Sequence, residues 1–437
     1  MGTMALNCRK TWLAGWLLVL LTAPPAWSQG LEDAQFFAPA AMDEFGGGPR
    51  PNEGIFASID YLKWTIQAPQ KTEIGFQGGS REVWLDTTTK TIQTNTIDTG
   101  GFSADWTDGQ RIEFGDVSEH HGWLFSGFQL HTHDLRDTYS SVDMVFQDLE
   151  YGDPAQRHLY GYVSKLVGYE NSNTPVYESW DASDLHNLPL SFDTVELHNT
   201  VKVWGVEWNY LYRCHPIHNG GIFEFFLGAR YLEFNETFDV DARGYRFEYD
   251  SFGFVDRARS ILADSFWSMK ADNHIVGPQI GARFFKTRGR WTLSSEGRFL
   301  AGTNFQNLNQ RGTLGSKLHD PYGTDPNHNN SFRWEFPPGV IQNPWVPLAM
   351  NPTSFNHSDH EREFAPAFEL RLEAKYQLTR ALAARFGWDV FWADGIARSS
   401  DLINYTLAEN QVFGIAKENN RQSVLMQGFH VGIELNR

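Results

Sequence analysis

The sequence predicts an all-β chain, an up-and-down antiparallel transmembrane β-barrel of about ten strands. Three observations predict it. One hairpin near the C-terminus alternates apolar and polar residues over nearly its whole length. Short and long connections alternate along the chain. An export signal is followed by no apolar run long enough for a spanning helix.

The hairpin covers 364–392. In its first limb Phe368, Leu370, Leu372, Ala374 and Tyr376 alternate with Glu369, Arg371, Glu373 and Lys375. In its second limb Leu382, Ala384, Phe386, Trp388, Val390 and Trp392 alternate with Ala383, Arg385, Gly387 and Asp389. A period of two places each set on one face of a strand. A soluble sandwich strand also alternates. This apolar face, however, carries aromatics at both ends and aliphatics between, which suits a hydrocarbon band between two aromatic girdles.

The chain has 437 residues, enough for several soluble domains or for one barrel with long loops. Arg9 and Lys10 precede an apolar run over 12–21, and Ala26-Trp27-Ser28 supplies a small-x-small cleavage site. Residues 1–28 therefore read as a secretory signal. Loss of Arg9 and Lys10 takes the formal charge from −17 to −19, so bulk electrostatics argues against a nucleic-acid partner. Cys214 is the only cysteine beyond the leader and cannot form an internal disulfide. Aromatics make up 15% of the chain although mean hydropathy is negative, as expected where only alternate residues meet lipid.

Taken in order, 29–53 is rich in Gly, Pro and Ala and reads as a flexible segment. Strands follow at 55–66, 110–115 and 123–132. In the first, Ile55, Ala57, Ile59 and Tyr61 share a face opposite Ser58 and Asp60, while Phe56 and Trp64 break the pattern. Strands four and five, near 204–212 and 223–231, flank an Asn219-Gly220-Gly221 turn. Strand six covers 275–285, and Pro278 within it predicts a bulge or a local break. Strand seven covers 291–302. The hairpin gives strands eight and nine, and 427–435 gives the tenth, with Phe429, Val431, Ile433 and Leu435 outward and His430 and Glu434 inward. The stretch between Arg243 and Lys270 leaves room for a further pair, hence twelve strands. Long connections are read at 67–109, 133–199, 235–272, 303–362 and 394–425, all on one side of the meander. The barrel is assigned to 54–437. Even strand number, short turns at one end and long loops at the other are the layout of a bacterial outer-membrane barrel.

At several stretches the chain resembles the outer-membrane β-barrel porin family abbreviated BBP, the seventh of that series. The matching residues are Asp60-Tyr-Leu-Lys-Trp64, Gly228-Ala-Arg-Tyr-Leu232, Asn273-His-Ile-Val-Gly-Pro-Gln-Ile-Gly281, and 369–395 with its Tyr376-Gln-Leu-Thr379 turn. Trp388 stands where the family pattern has Tyr, and Ala397-Arg-Ser-Ser400 departs from its usual continuation. The resemblance implies an outer-membrane location and a passive channel for small solutes.

The inward positions predicted to tune or to plug a lumen are Glu207, Glu224, Arg230, Arg283, Glu296, Arg298, Glu369, Arg371, Glu373, Arg385 and Asp389. The lipid-facing girdle is assigned to Trp204, Trp208, Tyr210, Tyr212, Tyr231, Trp291, Tyr376, Trp388 and Trp392. Two functions stay open: a diffusion channel, or a non-conducting barrel that acts through its outer loops. Ten strands enclose little space, and interleaved Arg and Glu can pair across a narrow lumen and close it. No enzyme is expected: His357-Ser358-Asp359-His360 is the one compact nucleophile–base grouping, and neighbours in a polar loop seldom converge. His131-Thr-His133 and the Asp320 to His328 region read as unliganded, and no metal or cofactor is expected. The expected partners are outer-membrane lipid and, during insertion, the barrel-assembly machinery.

Overall fold

The computed structural model describes residues 54–75, 80–85, 88–93, 97–148, 164–170, 174–179, 187–218, 220–243, 265–314, 353–407 and 413–436. The leader at 1–28, the segment 29–53, most of 303–362 beyond Leu314 and the Asp320 to His328 region lie outside them.

Ten strands form the wall: β1 Gly54–Ile66, β2 Trp106–Val117, β3 His121–Leu130, β4 Asn187–Arg213, β5 Gly221–Arg243, β6 Ser265–Arg288, β7 Trp291–Leu314, β8 Thr353–Gln377, β9 Leu382–Ile396 and β10 Gln422–Asn436. Each pairs antiparallel with the next, and β10 returns to β1 (Ile59 opposite Ile433), so the sheet closes. Strand β3 breaks at 131–132 and continues as His133–Asp148, which pairs with the outer part of β4. Pro278 gives the local break and no bulge: the β6–β7 ladder lacks pairs at 277–278, and the register on either side is unchanged.

The predicted strands are present, and several are longer than their alternation indicates. Strands β4 to β8 run 23 to 27 residues, whereas a tilted membrane crossing needs about 9–11. Much of what reads as loop at 133–199, 235–272 and 303–362 is therefore strand. The twelve-strand alternative is not borne out in the described residues, because 265–270 belongs to β6.

The extra length inverts its polarity. In β5, Phe223, Phe225, Leu227, Ala229 and Tyr231 point outward, and Leu227 is 61% exposed; Glu224 and Arg230 point inward and are buried. Beyond Tyr231 the outward set becomes Glu233, Asn235, Thr237, Asp239 and Asp241, and the inward set becomes Leu232, Phe234, Phe238, Val240 and Ala242 around Glu236. The same switch falls between Trp204 and Lys202 on β4, Val276 and His274 on β6, and Phe364 and Arg362 on β8, and the pairing register keeps all four in one row to within two residues. Below that line the wall is apolar outside and charged inside, as lipid requires. Above it the wall is polar outside and apolar inside, as water requires. The protein is a transmembrane β-barrel with a water-soluble extension.

The extension is one-sided. The continuation of β3 and strands β4 to β8 rise past the apolar belt, whereas β1 ends at Ile66, β2 begins at Trp106, β9 ends at Ile396 and β10 begins at Gln422. Two connections fill the inner face left by the tall strands. One supplies Ile74, Ile97 and Phe102; the other, 397–420, supplies Ala397, Leu402, Ile403, Tyr405 and Phe413. They pack on Phe238, Trp267, Met269 and Phe355 of the wall.

Candidate functional site

The interior of the membrane-spanning half is the place where ionisable groups concentrate. All eleven residues predicted to face the lumen do so and are buried. Their positions follow from register. Glu224 stands opposite Arg283, Arg283 opposite Glu296, Arg298 opposite Glu369, Glu296 opposite Arg371, and Arg371 opposite Asp389. Cross-strand neighbours of opposite sign on one face attract.

Other pairs cross the lumen. Arg371 of β8 donates to Glu113 of β2 at 2.6 Å, and Arg385 of β9 donates to the same carboxylate at 2.9 Å. Arg111 of β2 donates to Asp389 of β9 at 2.8 Å. Arg230 of β5 reaches Glu369 of β8 at 2.5 Å, and Arg298 of β7 pairs with Glu207 of β4. These links join strands three or four apart around a ring of ten, so side chains span the opening. Two voids between them measure about 10 Å³ each, room for a single water at most. Above this layer Trp64, Phe128 and Phe391 form an apolar shelf. The Arg111 guanidinium lies 5.6 Å from the Trp64 ring, and that of Arg230 lies 4.9 Å from the Phe391 ring.

The candidate lumen set leaves out several members of the network: Asp60, Lys375, His430 and Glu434, which alternation already puts on the polar face of their strands, and Arg111, Glu113 and Arg213 are buried with the rest. Lys375 holds Glu434 at 2.5 Å, and Arg213 holds Glu224 at 2.7 Å. The signal for them was available, since each sits on the inward parity of its strand. Among the described residues the buried charges along the interior are ten carboxylates, the tenth being Glu236 above the shelf, and nine Arg or Lys. His430 lies among them. Its Nδ1 lies 2.9 Å from Asp389 and its Nε2 3.3 Å from Glu373. The ring thus stands between two carboxylates, each within reach of one of its nitrogens. Gly387 makes the room: a Cβ there would stand 2.5 Å from the His430 ring. His430→Leu is expected to lower unfolding stability by about 1–3 kcal/mol, read from urea unfolding in lipid vesicles. An unchanged midpoint would show that the ring is no partner to these carboxylates.

Above the shelf the described parts of one connection, 395–407 and 413–420, are pinned as a plug. Arg398 grips Glu236 of β5 with Nε at 2.7 Å and Nη2 at 2.9 Å. The Ser399 amide donates to the same carboxylate at 3.0 Å, and Asn199 of β4 donates to it at 2.7 Å. Asn273 of β6 makes two bonds to the backbone of Ala397, one donated and one accepted, at 2.9 and 2.8 Å. Asn304 and Gln306 of β7 donate to the Gly395 carbonyl. Trp267 donates to the Tyr405 hydroxyl at 3.3 Å and meets Phe413 edge-on. Burial raises the Tyr405 hydroxyl above the ordinary phenol pKa. Residues 397–400 are thus the plug's anchor.

All nine predicted girdle residues lie on the outward parity of their strands. Trp204 and Tyr231 pair at the upper rim, and Trp291 and Tyr376 at the lower, with ring centroids 5.3 and 4.9 Å apart. Tyr210 and Tyr212 also lie low and Trp392 high, but Trp208 and Trp388 sit at mid-height, inside the aliphatic band. Of the grouping at 357–360, Asp359 pairs with Lys417 while His360 points to the other face toward Asn307, so this carboxylate and this imidazole do not meet. His133 is buried and His131 exposed.

No family model matches the chain, and no curated protein matches it. Solved structures similar to it are outer-membrane barrels. The outer-membrane protease OmpT of Escherichia coli shares 10% identity at a TM-score of 0.34, over 90% of this chain and 99% of that one. The CymD monoaromatic hydrocarbon channel shares 8% at 0.26, over 88% and 89%, and a TodX hydrocarbon-channel mutant 8% at 0.20, over 90% and 92%. These likenesses are distant, and the functional reading rests on the barrel's own interior.

Proposed function

We propose that the protein is an outer-membrane barrel that does not conduct, and that it serves as a rigid base for its tall outer sheet and loops. The observation that carries this reading is the lumen itself, which is spanned by ion pairs below and packed above by the plug residues 395–407 and 413–420. Two independent closures are more than a gate for passive diffusion needs. The outward apolar belt supports lipid as the surrounding medium, and the leader read over 1–28 supports export.

Single-channel recording of the refolded chain in a planar bilayer tests the proposal. No conductance steps are expected, and none after 397–419 is replaced by a short Gly-Ser link, because the charged layer still fills the opening. Discrete steps in the unaltered protein would overturn the proposal and restore the small-solute channel that the family resemblance implies. Steps only in the shortened chain would make 395–420 the gate of such a channel.

A further inference from the structure

Two short turns at the end of the barrel opposite the plug bring imidazoles together. The β2–β3 turn carries His120, with His121 opening β3, and the β4–β5 turn carries Cys214, His215 and His218. Between them lies the end of β4: the Arg213 amide donates to the His120 carbonyl at 2.7 Å, and the His120 ring returns to the Arg213 carbonyl through Nδ1 at 3.1 Å. A carbonyl only accepts, so Nδ1 carries the proton and Nε2 keeps a free lone pair. This is the arrangement by which a backbone carbonyl fixes the tautomer of a metal-ligating histidine. The His215 ring lies against it, centroids 4.3 Å apart and 75° between planes. His215 is exposed, so its ring can turn about its side-chain bonds to bring a nitrogen toward the same point.

We propose that His120 and His215 form a two-imidazole site for a divalent transition-metal ion at the short-turn rim, with water completing the coordination. Among the described residues no three His, Cys, Asp or Glu side chains already converge, so two protein ligands define the site. His121 is not one of them, because its Nδ1 lies 2.5 Å from the Tyr210 hydroxyl and its ring belongs to the lower aromatic rim. Imidazole nitrogen selects the ion: Cu²⁺, Ni²⁺ and Zn²⁺ bind such donors, whereas Mg²⁺ and Ca²⁺ take oxygen.

Calorimetric titration of the refolded full chain with NiCl₂, and with CaCl₂ as control, tests this. One Ni²⁺ per barrel and no Ca²⁺ are expected. His120→Gln and His215→Gln should each weaken Ni²⁺ binding by about tenfold or more, and the double variant should lose little beyond either single one, because a chelate is broken by removing either arm. His131→Gln should bind as the parent does. Each variant is first checked for the heat-modifiable migration of a folded barrel. Absence of Ni²⁺ binding, equal loss in His131→Gln, or additive losses in the double variant would overturn the proposal, the last by showing two separate weak sites.

Discussion

Replacing Arg371 by Met should be among the most damaging single changes in the membrane-spanning wall. The guanidinium holds Glu113 at 2.6 Å, Glu369 at 3.2 Å and Asp389 at 3.3 Å, joining β2, β8 and β9. Removing it leaves three carboxylates buried with fewer counter-charges. Breaking one side of a buried ion pair typically costs about 3–5 kcal/mol. We expect a loss of that size, read from urea unfolding in lipid vesicles by tryptophan fluorescence. Adding Glu113→Gln should recover part of it, since the second change removes one of the stranded charges. A midpoint equal to that of the parent would show that the ionic layer does not hold the wall together. Conductance should stay absent in Arg371→Met, because Arg385, Arg298 and Arg230 still reach across the opening.

The cost of an ionic interior is set by the solvent outside. With lipid on the outer face, the strands bury no apolar surface by closing, so the inner face carries the specificity. Charges of opposite sign in facing registers, such as Glu296 with Arg371 and Arg298 with Glu369, penalise a one-residue slip by turning every pair outward into lipid. Above Tyr231 the outer solvent becomes water and the inner face becomes apolar in answer.

That division explains what was legible in the sequence. Alternation over 364–392, 204–212 and 223–231 gave the strands and their inward charges, since period and polarity agree there. Alternation continues above the belt in β5, with Glu233, Asn235 and Thr237 against Phe234, Glu236 and Phe238, but the parity of the apolar residues has changed sides. A reading that follows the apolar face loses the strand at the crossing and starts a loop. The signal was present: a strand that keeps its period while its apolar residues change parity is leaving the membrane. The anchor at 397–400 gave no such signal. Arg398 and Glu236 are 162 positions apart, and only the folded wall brings them together.

Glu236 permits a test of the plug that spares the barrel. Glu236→Gln keeps the side chain's size but removes the charge that faces Arg398 from two nitrogens and the Ser399 amide. Arg398, 1% exposed, then has no counter-charge among its described partners, since its remaining bond is to the Gln67 carbonyl at 3.2 Å. A buried cation so stranded costs about 3–5 kcal/mol, and expelling the 395–420 segment relieves it. Hydrogen exchange within 397–420 should rise by about a hundredfold or more, and limited proteolysis should nick the same stretch. Exchange in the lower halves of β5 to β8 should not change, because the ionic layer below the Trp64, Phe128 and Phe391 shelf makes no bond to Glu236. If both regions loosened together, plug and wall would be one cooperative unit. If neither did, the apolar packing of Leu402, Tyr405 and Phe413 against Trp267 and Phe355 would be sufficient to hold the segment without its anchor.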